Sequence, residues 1–536
     1  MVTGGAAAAP DSSPTELFSI PGRASWRMIA LFTMAALAYF SVGLGSYSLL
    51  SPHEARHAGI VHEMWAARHY LMPRIDGVPV LDGAPLYYWL SAGFVSVFGV
   101  GEWVLRLPSA LSAALLLAVA TQALHRYLSS RVFFALFALS LIQPSLVMAG
   151  RFAAPDMLNA SLLAVALGGF LRAAFQWERG KDAQPWLLAA WIGTGLLGLG
   201  AGPLAIFTPL LVVGVWLLAR RRRDTFKALC WWPAMLAGAC IVLPWLGLVA
   251  HRYPGIVPAM LEKQFFGLLG HGHDGWGRNE LQLRAMLLLL ACLPVALTLY
   301  QYRDAQRRAS LHGPLAGFMA VWLVVLVPLH PLLAPTVAGP AAVIVVPLLY
   351  FSGHALAFGV QASRSQARCA WGAYIAATAL ASMVAVAFFV PRLSAVPPVA
   401  RAISSQYRST TDKVIMLDRY DYEFNFYLSS PKLVFIATDW TLDPERPGAG
   451  WQQDFTHAAA FASQTAERML LTHEQFVERL CERRVVNLWV VGSDASLERH
   501  PILSDLTPIV AEGTVRAWYL EAGGLFASQS CPGVRG

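Results

Sequence analysis

Residues 183–219 read AQPWLLAAWIGTGLLGLGAGPLAIFTPLLVVGVWLLA, a run without one Asp, Glu, Lys or Arg. A helix that crosses a bilayer needs about 20 mainly apolar residues. The run therefore holds two, and Gly202-Pro203 near its middle marks the break between them. Arg220–Arg223 close it with a cluster of positive charge. Working outward, charge-free runs recur at 28–52, 107–125, 132–150, 157–171, 228–250, 285–302, 309–363 and 369–391. The 309–363 run again holds two helices, broken around His330-Pro331, which brings the expected spans to eleven. The composition agrees. Hydrophobic residues make up 56% of the 536-residue chain and charged residues 13%, against roughly 25% charged in an ordinary soluble domain. A wholly soluble chain and a disordered one are both excluded.

The charges orient these spans. The first run follows a polar Gly/Ala/Ser/Pro stretch rather than a short basic region, so it reads as an uncleaved first span. With a cytoplasmic N-terminus, 17 basic residues fall in inner segments and 9 in outer ones. That is the positive-inside asymmetry. The net +8 divides into +11 for residues 1–391 and −3 for 392–536, so the basic excess orients the protein and points to membrane lipids, with no nucleic-acid partner. An odd number of spans puts residues 392–536 on the outer side. Ala84–Gly101 is long enough for a further span. One more crossing would invert every later loop, so this stretch is expected along or partly within the outer face.

The expected organisation is a cytoplasmic segment (1–27), a transmembrane domain (28–391) with long outer loops at 53–106 and 251–284, and a periplasmic α/β domain (392–536). In the tail, Val414–Leu417, Leu433–Ala437, Asn487–Gly492 and Ala517–Leu520 read as strands. Thr472 with Gln475 reads as a capping box ahead of an amphipathic helix. Cys481 and Cys531 are the tail's two cysteines, and periplasmic exposure permits a bridge between them.

The polar residues of interest gather on the outer side: His53, Glu54, His57, Asp76, Asp82, Arg151, Asp156, His271, His273 and Asp274. His53-Glu54-Ala55-Arg56-His57 matches H-E-x-x-H, in which two histidines on one helix face hold zinc and the glutamate activates water. The alternative is an amphipathic juxtamembrane helix with solvated histidines, its apolar side made by Ile60, Val61, Met64 and Trp65. No third ligand follows at close spacing.

A wider pattern takes in the same residues. Ser51–Ala58, then Gly77–Leu90 (GVPVLDGAPLYYWL), then Gly99–Glu102 and Arg106–Ala110 resemble the first outer loop of GT-C membrane glycosyltransferases. The likeness is nearest to bacterial lipid A aminoarabinose transferases and protein O-mannosyltransferases. Arg151-Phe152 with Asp156-Met157, Leu199–Pro203, Pro244-Trp245, Phe265-Phe266, His271–His273, His330–Pro335, Tyr422–Leu428 and Thr472–Arg483 continue the resemblance in order along nearly the whole chain.

The resemblance implies a polytopic α-helical membrane protein, GT-C-like with about 11–13 transmembrane helices, and a C-terminal periplasmic α/β domain. It implies transfer of a sugar from a polyprenyl-phosphate donor to a lipid, glycan or protein acceptor at the periplasmic face. Glu54, His53 and Asp82 are the implied catalytic residues. Arg56, Arg151, Asp156, Tyr87 and Tyr88 are implied for substrate or phosphate binding, with structural pairing the alternative for Arg56, Arg151 and Asp156 and helix anchoring at the interface the alternative for the tyrosines. Asp82 and His271 are implied as ligands of a divalent metal (Zn, Mg or Mn). Three positions depart from the family: His53 replaces its Asp, and Gly83 and Ala201 replace two lysines. Lost phosphate-binding charge leaves a glycosyltransferase-derived binding or assembly protein open as a rival reading, and the H-E-x-x-H match leaves a membrane zinc protease open as a second. Arg252, Lys263, Arg278 and Arg284 are candidate compensating cations.

Overall fold

The computed structural model describes residues 26–124, 143–268, 313–330, 342–359, 395–408, 410–428, 434–441, 450–481, 486–504 and 506–521, with a few isolated positions besides. Its helices begin with α1 (Trp26–Ser41), α2 (His53–Ala66), α3 (Leu86–Phe98), α4 (Glu102–Leu124), α5 (Pro144–Arg151), α6 (Asp156–Glu178), α7 (Gln184–Ala201) and α8 (Phe207–Ala219). They continue with α9 (Arg223–Leu229), α10 (Trp232–Arg252), α11 (Ile256–Leu268), α12 (Pro314–Leu329) and α13 (Val345–Gly359).

The 183–219 run divides into α7 and α8 at Gly202-Pro203, with one 3-10 turn over Pro203–Ile206. Gly202 has φ +97°, and a Cβ there would overlap the Gln264 side chain. Only glycine tolerates both conditions. α6 is buried along most of its length and packs against α4 and α7, and α7 packs against α10. Among the described residues, α4, α6 and α10 are long and apolar enough to cross a membrane. Leu211, Leu218, Leu236, Leu243, Leu248 and Val324 are exposed on α8, α10 and α12. An outward apolar surface of this kind suits lipid. The runs expected at 285–302 and 369–391 lie outside the described residues but for isolated positions, and the run at 132–150 is described at 139–141 and 143–150, where α5 begins at Pro144.

The first run is corrected. Met28–Pro52 is helical only to Ser41. Glycines and serines interrupt the stretch beyond, and the carbonyls of Leu44, Tyr47 and Ser48 turn inward onto the Arg106 guanidinium. Backbone carbonyls at apolar depth need donors, and one buried arginine supplies them. α3, from the stretch expected along the outer face, has 13 residues. That is about 20 Å of helix, short of the roughly 30 Å hydrocarbon core.

The tail folds around a six-stranded sheet in the order β5-β4-β3-β6-β8-β7. Its strands are β3 (Asp412–Leu417), β4 (Phe435–Ala437), β5 (Leu470–Leu471), β6 (Asn487–Gly492), β7 (Val510–Glu512) and β8 (Val515–Leu520). A separate hairpin, β1 (Arg74–Ile75) with β2 (Val78–Pro79), turns through Asp76-Gly77, both at positive φ. β3, β4, β5 and β6 pair in parallel, and β8 runs antiparallel to β6 and β7. Four of these strands coincide with the expected ones. β5 has two residues, too few to leave a periodic signal. The sheet helices include α14 (Val396–Ser404), α15 (Phe424–Leu428), α16 (Gly450–Thr456), α17 (Ser463–Met469), α18 (His473–Cys481) and α19 (Asp494–Arg499).

Alternation along the central strands divides two cores. Ile415, Leu417, Leu488 and Val490 meet Phe476 and Leu480 of α18. Val414, Met416, Trp489 and Val491 face the other way, into the core that continues through the helical part of the chain. Period-2 alternation thus buries both faces of the sheet. The tail also closes onto α2: a Cβ on Gly59 would come within 2.4 Å of the Tyr422 carbonyl oxygen. The expected Cys481–Cys531 bridge involves a residue outside the described set.

Candidate active site

α2 sends its polar residues in two directions. Glu54 and Arg56 are two apart, hence about 200° around the helix. Glu54 points inward and is 1% exposed. Its Oε1 accepts from Arg106 Nε and the Ala153 N–H at 2.8 Å each, and its Oε2 accepts from Arg106 Nη2 at 2.7 Å and the Leu50 N–H at 3.0 Å. Arg106 is itself wholly buried and lies 3.9 Å from the Tyr47 ring centroid. Both carboxylate oxygens are therefore spent on holding the 42–52 backbone, α4 and the 152–154 turn together. Glu54, the catalytic residue implied by the resemblance, stands here as a buried anchor.

Arg56 points the other way, into a cluster drawn from four separated stretches. Its Nε and Nη2 grip Asp454 at 2.8 and 3.0 Å, and Nη2 also donates to Asp82 Oδ1 at 2.8 Å. Lys263 of α11 stands 3.5 Å from Asp454 and 3.9 Å from Asp82. Tyr422 donates to Asp454 Oδ2 at 2.7 Å. Two cations thus meet two carboxylates.

Burial alone would raise the carboxyl pKa values of Asp82 and Asp454, but Arg56 and Lys263 overcome it and hold both below the usual range. Burial opposes the charge on Arg56 too, yet Asp454 and Asp82 keep its pKa well above the ordinary value. Tyr422 is pushed up by burial and by the Asp454 charge. The Asp82 side chain remains 43% exposed, which makes it the cluster's open edge.

His57 lies behind this cluster. Its Nδ1 shares a 2.9 Å hydrogen bond with the Tyr88 hydroxyl, and burial followed by the Arg56 charge lowers its pKa to about 3. It is a neutral, enclosed imidazole, which corrects the expectation of solvated histidines. The H-E-x-x-H reading fails on the same geometry. Glu54 cannot activate water from inside an arginine pair, because both of its oxygens are engaged.

The remaining expected site residues separate. Tyr87 and Tyr88 are buried, and Tyr87 donates to the Leu105 carbonyl at 3.1 Å, so Tyr87 packs inside the fold here. Arg151 donates to the Val42 carbonyl, with Tyr47 bonded to its own carbonyl at 3.3 Å, so it braces the non-helical stretch rather than the cluster. Asp156 is buried in the first turn of α6, where the helix dipole favours a carboxylate. His53 opens α2 and is half-buried. His271 lies outside the described residues. Among the described residues, Asp82 meets the cations Arg56 and Lys263 and belongs to no gathered group of three metal ligands.

Two findings bear on the lost lysines. The position of one is Ala201, whose carbonyl accepts from Gln264 Nε2 at 2.8 Å, while Gln264 Oε1 accepts from the Leu204 N–H at 3.2 Å. Gln264 thereby pins α11 to the α7–α8 break, and its neighbour Lys263 brings a positive charge into the cluster. Asp454 and Tyr422 were not assigned a site role from sequence, because the tail's contribution depends wholly on how it docks. Arg106 stood in the quoted motif, but only its burial reveals its partner.

Comparison with known proteins agrees with this architecture. Residues 82–247 match the dolichyl-phosphate-mannose-protein mannosyltransferase family model. An undecaprenyl phosphate-α-4-amino-4-deoxy-L-arabinose arabinosyl transferase of Edwardsiella ictaluri is 30% identical over 230 residues, 42% of this chain and 41% of that protein. A transferase of the same name from Pseudomonas fluorescens is 27% identical over 360 residues, 62% of this chain and 60% of its own. The chain thus spans about two-fifths of the first relative's length and three-fifths of the second's. The crystal structure of ArnT from Cupriavidus metallidurans bound to undecaprenyl phosphate superposes with a TM-score of 0.72 at 18% identity, covering 92% of this chain and 98% of that one. The Archaeoglobus fulgidus oligosaccharyltransferase superposes with a TM-score of 0.50 at 14% identity, covering 88% and 69%. The fold is that of the GT-C membrane glycosyltransferases, and the sequence resemblance to the aminoarabinose-transferase type holds.

Proposed function

We propose that this protein is a glycosyltransferase that moves a sugar from a polyprenyl-phosphate carrier to a lipid, glycan or protein acceptor at the periplasmic face of a bacterial inner membrane. In this reading the N-terminus is cytoplasmic and the sheet domain periplasmic, which the loop charges support. The observation that carries this reading is the convergence of Arg56 and Lys263 on Asp82 beside the tail's Asp454. The family resemblance supports it.

Transfer from a phosphate carrier forms a bond from the acceptor oxygen to the sugar's anomeric carbon as that carbon's bond to a phosphate oxygen breaks, the acceptor proton passing to the departing phosphate or to solvent, so negative charge grows on the departing phosphate. Cations held beforehand at that point stabilise the transition state without reorganising. Arg56 is suited to this because its planar guanidinium meets two oxygens at once. At rest its charge and that of Lys263 are balanced by Asp82 and Asp454, so the donor phosphate competes with those carboxylates. Asp82, on the open edge, is the one free to turn toward the acceptor or toward positive charge growing on the sugar ring. With its pKa held low it acts as an ionised orienting group rather than a strong proton acceptor. Asp82 Oδ1 and Oδ2 face Arg56 and Lys263, so these cations meet the carboxylate's charge.

The test is donor turnover in proteoliposomes with Arg56→Ala, Lys263→Ala and Asp82→Asn. Each substitution is expected to lower turnover by roughly 10- to 100-fold, the worth of one charge-assisted contact. Undiminished turnover in all three variants sinks the assigned site. Tight donor binding by the wild type with no transfer to any acceptor class favours the binding-protein reading instead.

A further inference from the structure

We propose that Asp418, His473 and His500 form a binding site for one divalent transition-metal ion, zinc foremost, at the edge of the tail's sheet and separate from the Arg56 cluster. Three connections converge there. Asp418 directly follows β3, His473 opens α18 just after β5, and His500 follows α19, which leads out of β6. The chain passes from β3 to β4 and β5 on one side, then returns to place β6 on the other side of β3. Such a reversal opens a crevice beyond the carboxyl ends of parallel strands, the usual place for a ligand in an open α/β sheet. Asp418 stands at the mouth of it with φ +55°.

The donor atoms are gathered already. His473 Nε2 lies 2.9 Å from Asp418 Oδ1, and His500 Nε2 lies 3.9 Å from Asp418 Oδ2. One ligand atom from each of the three residues falls within 4.8 Å of the others. Zinc bound tetrahedrally at about 2.0–2.1 Å separates its ligand atoms by about 3.3 Å, and the two observed separations bracket that value. The imidazoles meet edge to face, with ring centroids 4.6 Å apart.

A second observation points to a missing partner. The His500 side chain is 3% exposed and that of Asp418 9%. His500 Nε2 and Asp418 Oδ2 are nonetheless buried without a hydrogen-bond partner. A buried polar atom left so is costly, and a cation between these two atoms satisfies both at once. The other neighbours permit it. Thr438 donates to Asp418 Oδ1 at 3.3 Å, which orients the carboxylate as outer partners of metal ligands do. Arg499 stands 3.5 Å from Asp418 Oδ1 but is 52% exposed, so it can swing to solvent when the ion enters. His473 is 30% exposed and provides the way in. Two imidazoles and one carboxylate suit zinc, with a fourth position left for water or a ligand anion.

The site is tested by titrating zinc chloride into the full-length, tag-free protein in detergent after treatment with a chelator. One ion per chain is expected, with a rise in thermal midpoint that tracks zinc concentration. Cobalt added in its place is expected to give the visible bands of a tetrahedral site. His473→Ala touches the more exposed ligand and keeps the fold, and it is expected to weaken zinc binding by roughly 100-fold and abolish the midpoint rise. His500→Ala is expected to do the same, while Asp82→Asn keeps full binding. Zinc bound equally well by His473→Ala and His500→Ala, or no stoichiometric zinc in the wild type, overturns the proposal. Sugar transfer is not the readout, so failure here leaves the proposed function untouched.

Discussion

Glu54→Gln separates a structural from a catalytic role for the glutamate of the H-E-x-x-H match. The substitution keeps the shape and removes the charge. Each Glu54 oxygen accepts two hydrogen bonds, from Arg106 Nε and the Ala153 N–H at one, and from Arg106 Nη2 and the Leu50 N–H at the other. An amide leaves one oxygen and sets an NH2 against two donors. Two bonds are lost, at least one of them charge-assisted, and the fully buried Arg106 is left without its counter-ion. Breaking a buried pair from one side costs about 3–5 kcal/mol. The assay is the thermal midpoint of the purified protein in detergent, measured beside donor turnover below that midpoint. A large fall in midpoint is expected, with the surviving folded fraction still turning over donor. The double variant Glu54→Gln with Arg106→Met is expected to recover part of the loss, because it removes the stranded charge. A Glu54→Gln protein as stable as wild type but inactive would refute the anchor role and return Glu54 to the chemistry.

Three further outcomes are expected. Burial and the nearby Asp76 charge raise Glu63 to about 8, and burial raises Asp76 to about 6. These acids hold protons in the folded state that the unfolded chain has released, so stability is fullest below about pH 4.5 and is lost as pH rises toward about 8. Glu63→Gln, which keeps the acceptor for the Gly77 N–H, should flatten the fall in thermal midpoint between pH 5 and 8; an unchanged slope contradicts the assignment. Gly59→Val should push the tail off α2, read as faster proteolysis within 395–521, since even a Cβ meets the Tyr422 carbonyl; unchanged proteolysis argues against that docking. Arg56→Lys should retain charge yet lose most turnover, because a point charge cannot grip Asp454 through two nitrogens; wild-type turnover denies the bidentate role.

Much of this architecture was legible in the sequence. The break at Gly202-Pro203, the paired helices around it, the strands at 414–417 and 487–492 and the helix opening at Thr472 all follow from local rules of length, periodicity and capping. The Asp76-Gly77 turn between Ile75 and Val78 carried a hairpin signal of the same local kind, though it was not read as one. Local rules also show which residues share a helix face.

They do not show how a helix is rotated, or what docks against it. Glu54 and Arg56 read from sequence as neighbours at one reacting centre. Arg106, more than fifty positions on, turned Glu54 inward, because a buried guanidinium and several orphan carbonyls needed a counter-charge. Arg56 was thereby left facing Asp82, Lys263 and Asp454. The cluster assembles only when α11 and the tail close on α2. The unpartnered atoms of Asp418 and His500 likewise arise only when β3, β6 and their following segments are brought to one edge of the sheet. Composition and periodicity are sums over neighbours along the chain, whereas charge pairing and burial depend on distance through space. The membrane fold was therefore determined by the sequence itself, and the allocation of its few charges was decided by tertiary packing.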